Sequence, residues 1–480
     1  IEGAGLYWVG VRQNRWLSRV AGVALQFLAG AALAQDPVRP SGALPLLNTW
    51  FLAGLLLGVS SLFVAAQSYG ARATLQREWR FVQVLIPWGL LFVLGAGFGE
   101  IDARVTHDLQ PGAQIAWLGI VALALELVAG KIAWQTGRYP GLALWIVMIG
   151  LLGRHHYDFD VQPFARGGFV GWPIYALAMG LILRRFVPQA HPYARYAHPV
   201  ALWLWAAFAV SLVDHLVADS AALDRSYVFA ASLTMLVAVV LAVLALAQRP
   251  SWPVGREPLM YVRFGLGGVV AVLMLRSLQA NLTQPGSSSP IAYLPIANAL
   301  DVSLSLAVAA VFAWIRRGAD PAPGSEPVAS LVRAEIRKLA GIALAALVFV
   351  SWNGMLARTV QIYTGIPFWA YTLWNSTPLQ VSFSLSWTLI ALPLMIFAHR
   401  RRVRPAWWTG AALLAVVVLK LFALDLAELS AGAKIGTFIG VGLLLLLIGA
   451  LAPVPPAAAT TPIPEPEPPP RPSHRPEAPT

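Results

Sequence analysis

Apolar segments of roughly 15–25 residues follow one another from one end of this 480-residue chain almost to the other, joined by short stretches of Arg, Pro, Asp or His. Segments of that length and spacing fit a bilayer, where a helix satisfies its own backbone hydrogen bonds without water. The chain therefore reads as an all-α, polytopic transmembrane helix bundle. Composition agrees: 58% of residues are hydrophobic and 12% are charged, against roughly 25% charged in soluble proteins. The absence of Cys removes disulfides, thiolate chemistry and zinc–thiolate sites from consideration, and no cofactor is implied.

A net charge of +12 raises the question of a nucleic-acid partner, which the placement of the charge answers. Arg12, Arg15 and Arg19, then Arg72, Arg77 and Arg80, then Lys131 and Arg138, then Arg184, Arg185 and Arg195 fall in alternate loops. So do Arg249, Arg256 and Arg263, then Arg316, Arg317, Arg333, Arg337 and Lys338, then Arg400, Arg401, Arg402 and Arg404. With the tail, about 25 of the 34 basic residues share one side, which the positive-inside rule assigns to the cytoplasm. The basicity encodes orientation, and membrane lipids rather than nucleic acid are the expected partners.

About 15 spans are expected: Gly3–Val11, Val20–Ala34, Leu44–Ala66, Phe81–Phe98, Gln114–Gly130, Gly141–Gly153, Phe169–Leu183, Pro199–Ala218, Tyr227–Ala247, Phe264–Ala280, Ile291–Ile315, Leu339–Leu356, Leu379–Ala398, Trp407–Leu424 and Ile435–Leu451. Gly141–Gly153 and Phe169–Leu183 are short, and suggest a broken or re-entrant pair around "RHHYDFD". Residues 1–452 form the multi-pass domain. Residues 453–480, "PVPPAAATTPIPEPEPPPRPSHRPEAPT", read as a disordered, Pro-rich cytoplasmic tail, a solvated end with docking of a cytoplasmic protein as the alternative. The chain opens inside an apolar segment without Met, as a piece of a longer protein does.

Small residues recur at helical spacing. Gly54 with Gly58, and Gly432 with Gly436 and Gly440, are expected to bring helix backbones close together. "GAGFGE" at 95–100 lies at a helix end without the context of a dinucleotide fingerprint.

The stretch "SWTLIALPLMIFAHRRRVRPAWWTGAALLAVVVLKLFALDLAELS" running into "IGTFIGVGLLLLLIGALAPVPP" resembles the C-terminal part of a family of bacterial membrane proteins, domain of unknown function 2339. "EGAGLYWVGVRQNR", "YLPIANALDVS" and "ARTVQIYTGIPF" extend the resemblance over nearly the whole chain. It implies a bacterial inner-membrane protein, usually preceded by a soluble or coiled-coil region. The family pattern implies His after "RTV", where this chain has Gln361, and it carries no assigned activity.

Ionisable groups inside a bilayer cost about 2.5–3.5 kcal/mol each at a helix centre, so each needs a partner, water or a snorkelling route. Of Glu100 and Asp102, Asp214 and His215, Arg276, Asp301 beside Asn298, Arg358, and Lys420 with Asp425 and Glu428, most are expected on the side opposite the basic loops. They are candidates for a polar chamber binding a lipid-linked or small-molecule ligand, with Asp301 paired to Arg276 or Lys420; separate, satisfied helix-end charges are the alternative. Asp301 is expected two or three turns inside its span. Glu126 lies at the cytoplasmic end, snorkelling or pairing with Lys131. His155, His156, Asp158 and Asp160, with His107 and Asp108, match no established metal-site spacing. "FWAYTLWN" at 368–375 reads as an interfacial anchor.

Three functions fit these observations. A transporter or flippase would place the charges in a water-filled cavity, a transferase on lipid-linked substrates would use "GEIDARVTHD" as ligands or base, and a scaffold would keep its charges paired and dry. Envelope-related transport or scaffolding is preferred over catalysis.

Overall fold

The computed structural model describes residues 1–35, 44–157, 161–220, 223–317 and 327–422, together with 439, 442, 443 and 446. Among these residues there are helices and no strand. One compact unit, Ile1–Phe368, contains α1 (Glu2–Arg12), α2 (Trp16–Gln35), α3 (Thr49–Gly70), α4 (Arg72–Leu75), α5 (Glu78–Val82), α6 (Leu85–Arg104), α7 (Gln110–Lys131), α8 (Tyr139–Tyr157), α9 (Gly168–Leu181), α10 (Ala197–Ala218), α11 (Arg225–Leu246), α12 (Leu266–Thr283), α13 (Ala299–Arg317) and α14 (Pro327–Thr364). A second unit, from Trp369 onward, contains α15 (Tyr371–Trp374), α16 (Thr377–Arg401) and α17 (Arg404–Lys420).

Eleven helical stretches among the described residues are long and apolar enough to cross a membrane. Exposed Ile146, Leu389 and Leu419 are what a surface facing hydrocarbon requires. Helices α1 and α17 have 11 and 17 residues, and the segment Ile435–Leu451 lies largely outside the described residues. The segment expected to be short at Phe169–Leu183 is longer: α9 continues through a π-helical turn at Ile182–Phe186, giving a 22-residue stretch from Gly168 to Gln189. The expectation for Ile291–Ile315 also needs correction. Residues 284–298 are not helical; α13 begins at Ala299, because Pro290 and Pro295 break the run and the Asn298 Oδ1 accepts the Asp301 N–H at 2.9 Å as its cap.

Two apolar cores stand out among the described residues of the first unit. One is built from α3, α6, α7, α8 and α9 with Leu204 and Phe208 of α10; the other from α11, α12 and α13 with Ala206 of α10. Helix α10 is thus shared, and its two faces belong to different clusters. Small residues set the close crossings. Gly58 and Gly89 approach backbone to backbone between α3 and α6, so that a β-carbon on Gly58 would lie 2.6 Å from the Gly89 carbonyl oxygen. Gly432, Gly436 and Gly440 lie outside the described residues. The closest crossing is instead α7 with α9: a β-carbon on Gly112 would stand 2.1 Å from the Gly167 carbonyl carbon, and one on Gly171 2.5 Å from the Gly112 oxygen.

Buried charge is consumed locally at the loop end that carries Arg138. Glu126 pairs with Arg138, not with Lys131: the Arg138 Nε donates to it at 2.9 Å and a second guanidinium nitrogen closes the pair. Both side chains are buried, so their Coulomb attraction is little screened by water. The residues lie 12 apart in the chain, beyond helical i,i+4 reach, and the turn after α7 is what brings them together.

Candidate functional site

Four of the charges expected to form one polar chamber separate into two pairs. Asp301 pairs with Arg358 at 2.6 Å, not with Arg276 or Lys420. Arg358 is fully buried on α14; its guanidinium also donates to the Asn281 Oδ1 at 3.3–3.4 Å, while its Nε has no hydrogen-bond partner among the described residues. Asp301 sits in the first turn of α13, not two or three turns inside it. Its other oxygen accepts from the Asn298 Nδ2 at 2.5 Å, the Ile296 N–H at 3.3 Å and, more distantly, the Tyr293 hydroxyl at 3.4 Å. Burial above all, with Asp301 adding to it, holds the Tyr293 phenol above its ordinary pKa, so the hydroxyl stays a donor.

This network fastens the non-helical 284–298 segment to α14. Gln361 supplies another tie by accepting the Gly286 N–H at 2.9 Å, and the Tyr363 hydroxyl donates to the Tyr293 carbonyl at 3.3 Å. The role of residue 361 here is that of a hydrogen-bond acceptor for a loop. The space beside Arg358, bordered by Ser226, Gly286, Ser287 and Asn298, measures about 10 Å³, room for one water. A buried pair of this kind, enclosed by amides and a phenol, is a clamp rather than a solute pathway.

The second arrangement has room beside it. Arg276 of α12 pairs with Asp214 of α10 at 3.3 Å, contacts the Ser232 Oγ and the Gln279 Oε1 at 3.4 Å, and lies over the Phe229 ring at 4.8 Å. The Arg276 side chain is 30% exposed and that of Asp214 13%. These bonds are longer than the roughly 2.7–2.9 Å of a strong charge-assisted pair, and a guanidinium has five N–H donors to satisfy. Below the pair opens a cleft of about 640 Å³. Its walls are apolar but for Ser211: Ile149, Leu152 and Gly153 of α8, Trp203, Leu204, Ala206, Ala207 and Val210 of α10, Leu236 of α11, and Gly268, Val269 and Val272 of α12. It lies where the two apolar cores meet, along the helix they share. Trp203 forms its floor, held by an Nε1 bond to the Gly265 oxygen at 2.8 Å.

The length of the cleft is informative. Asp214 lies eleven residues beyond Trp203 on α10, or about 16 Å at 1.5 Å per residue. Half of a hydrocarbon core is about 15 Å thick. The cleft is therefore about as long as one leaflet is deep, with charge at one end and apolar side chains along the rest.

The remaining expected site residues lie elsewhere. Glu100 is buried at the end of α6, where it accepts from the Leu46 N–H at 3.0 Å and the Asn48 Nδ2 at 2.7 Å and pairs with Arg104 at 3.3 Å. It is occupied in holding Asn48, whose Oδ1 caps the start of α3 by accepting the Phe51 N–H, and Asp102 beside it is exposed. His215 is buried with its Nδ1 2.7 Å from the Ser211 carbonyl oxygen. Lys420, in the second unit, donates to the Ser384 Oγ at 2.9 Å and the Gln380 oxygen at 3.3 Å. Asp425 and Glu428 lie outside the described residues, as do Asp158, Asp160 and the side chains of His155 and His156. Asp108 pairs with Arg166 at 3.1 Å. Among the described residues no three His, Asp or Glu converge to hold a metal.

The family model described as "Predicted membrane protein (DUF2339)" matches residues 1–455. The chain belongs to that family. Among curated proteins and among solved structures, none matches it. Membership makes this DUF2339 protein a multi-pass membrane protein of unknown molecular function, so a more specific role has to be argued from the two charge arrangements.

Sequence reasoning missed Asn281, Tyr293 and the wall of the cleft. Asn281 was visible as an amide inside an apolar helix, a signal in itself. The cleft had no such signal, since Leu, Val, Ala and Gly along a helix read alike whether they face a neighbour, a lipid or an empty space.

Proposed function

We propose that this protein binds a membrane lipid in the cleft among α8, α10, α11 and α12, in an envelope-related lipid-transport or scaffolding role in a bacterial inner membrane. The basic loops face the cytoplasm on this reading, so the Arg276–Asp214 end and its leaflet face the periplasm, and the Pro-rich tail is cytoplasmic. The observation that carries it is the coincidence of a leaflet-deep apolar cleft with an incompletely used guanidinium at its headgroup end. Pairing of Asp301 with Arg358 and of Glu126 with Arg138 argues against a hydrophilic solute crossing through a wet pathway. Engagement of Glu100 with the capping residue Asn48 and the Leu46 N–H argues against a transferase that needs it as base.

Photocrosslinking tests the proposal. A phospholipid carrying a diazirine in its acyl chain, reconstituted with the full chain, is expected to label peptides of α8, α10 and α12 at cleft positions above the lipid-facing background of Leu385 and Leu389. Ala207→Phe, which fills the cleft, is expected to abolish that excess. Uniform labelling of all lipid-facing helices, unchanged by Ala207→Phe, would overturn the proposal.

A further inference from the structure

The headgroup end of the cleft holds a cation and an anion side by side, and that combination selects among lipids. When the Arg276 guanidinium turns to a lipid phosphate, it can form the two parallel N–H···O bonds that its present neighbours do not provide. The same movement takes one positive charge away from Asp214, a carboxylate only 13% exposed at the edge of an apolar wall. Withdrawing a cation from a partly buried carboxylate is costly, whatever else surrounds it. A lipid that brings a cation of its own returns that charge.

We infer that the cleft selects a zwitterionic phospholipid whose headgroup joins a phosphate to a primary ammonium, Arg276 taking the phosphate and Asp214 the ammonium. This inference rests on the lipid-binding reading above and adds the headgroup to it. In the exchange the Arg276–Asp214 pair gives way to two pairs with the lipid. An ammonium has three N–H donors for a carboxylate, whereas a quaternary amine has none, so the primary amine is preferred. An anionic headgroup without an amine satisfies Arg276 but returns no cation to Asp214 for the one withdrawn. The chain of the lipid then runs along Val210, Ala207 and Val272 to the Trp203 floor, a path about as long as one leaflet is deep.

Native mass spectrometry of the full chain, released from nanodiscs of equal parts ethanolamine- and glycerol-headgroup phospholipids with identical acyl chains, tests this. The wild type is expected to retain the ethanolamine lipid over the glycerol lipid by about fivefold, the upper end of the scale for one exposed ion pair. Asp214→Asn is expected to keep a lipid adduct and erase that preference, Asp214→Glu to preserve it, and Arg276→Gln to weaken both adducts. Equal retention of the two lipids by the wild type, or a preference that Asp214→Asn leaves intact, would overturn the headgroup assignment while Ala207→Phe still removed the adduct. An adduct indifferent to Ala207→Phe would overturn the lipid-binding reading itself, and the headgroup assignment with it.

Discussion

Replacing Arg358 with Met is expected to destabilise the protein by about 3–5 kcal/mol, the range found when one member of a buried ion pair is removed. The reason is the state in which Asp301 is left. Its carboxylate is 5% exposed and would keep the Asn298 amide, the Ile296 N–H and the Tyr293 hydroxyl, but no cation at 2.6 Å. Three neutral donors soften the loss without cancelling it, since a buried charge needs both pairing and hydrogen bonds. The double variant Arg358→Met with Asp301→Asn is expected to be more stable than Arg358→Met alone, because the uncompensated charge has gone and the amide can still accept from the loop. Reversible unfolding in mixed micelles, run as a double-mutant cycle, measures both. A loss under about 1 kcal/mol for the single variant, the scale of an exposed pair, would mean that Asp301 is hydrated and the clamp is not what holds residues 284–298.

Gly112→Leu is expected to have an effect of similar size for a different reason. A single β-carbon at Gly112 already falls 2.1 Å from the Gly167 carbonyl carbon, inside any allowed contact distance, and the obstructing atom is backbone that cannot rotate away. Helices α7 and α9 must then separate, and Ile115, Leu118, Tyr175 and Met179, all essentially buried between neighbouring helices, lose part of their packing. In a bilayer this packing is a main source of helix association, because lipid tails are as apolar as the side chains. Overpacking alone costs about 1–3 kcal/mol, and backbone displacement along a whole crossing adds to it. Thermal aggregation in detergent should show a markedly lower midpoint. Gly95→Leu on α6, where a β-carbon meets nothing within 4 Å, should leave it nearly unchanged. Equal behaviour of the two variants would contradict the crossing described for α7 and α9.

How far the sequence could be read depended on which physical signal each feature emits. Helical class and membrane location follow from apolar run length, a signal carried by every residue of α10 or α11. The start of α13 was misplaced because Ile291, Tyr293 and Leu294 look apolar enough to be helical; Tyr293 is buried, but in a loop, and only the hydrogen bonds that tie it to α14 show why. Asp301 was picked out by its cost in hydrocarbon, yet its partner was not, since Arg358 lies 57 residues away and pairing across helices depends on rotation about each axis. Arg276 and Asp214 were likewise visible as charges but not as a pair. The cleft beside them is an absence of side chains between two cores, and an absence leaves no mark in a single sequence.

The most direct test of lipid binding is a density map of the full chain in nanodiscs containing ethanolamine-headgroup phospholipid, resolved well enough to see acyl chains. Lipid binding in the cleft predicts one elongated density running from the Trp203 floor along Ala207 and Val272, ending in a headgroup against Arg276 and Asp214. A cleft closed by side chains, or one empty while ordered lipid sits elsewhere on the bundle, would contradict it.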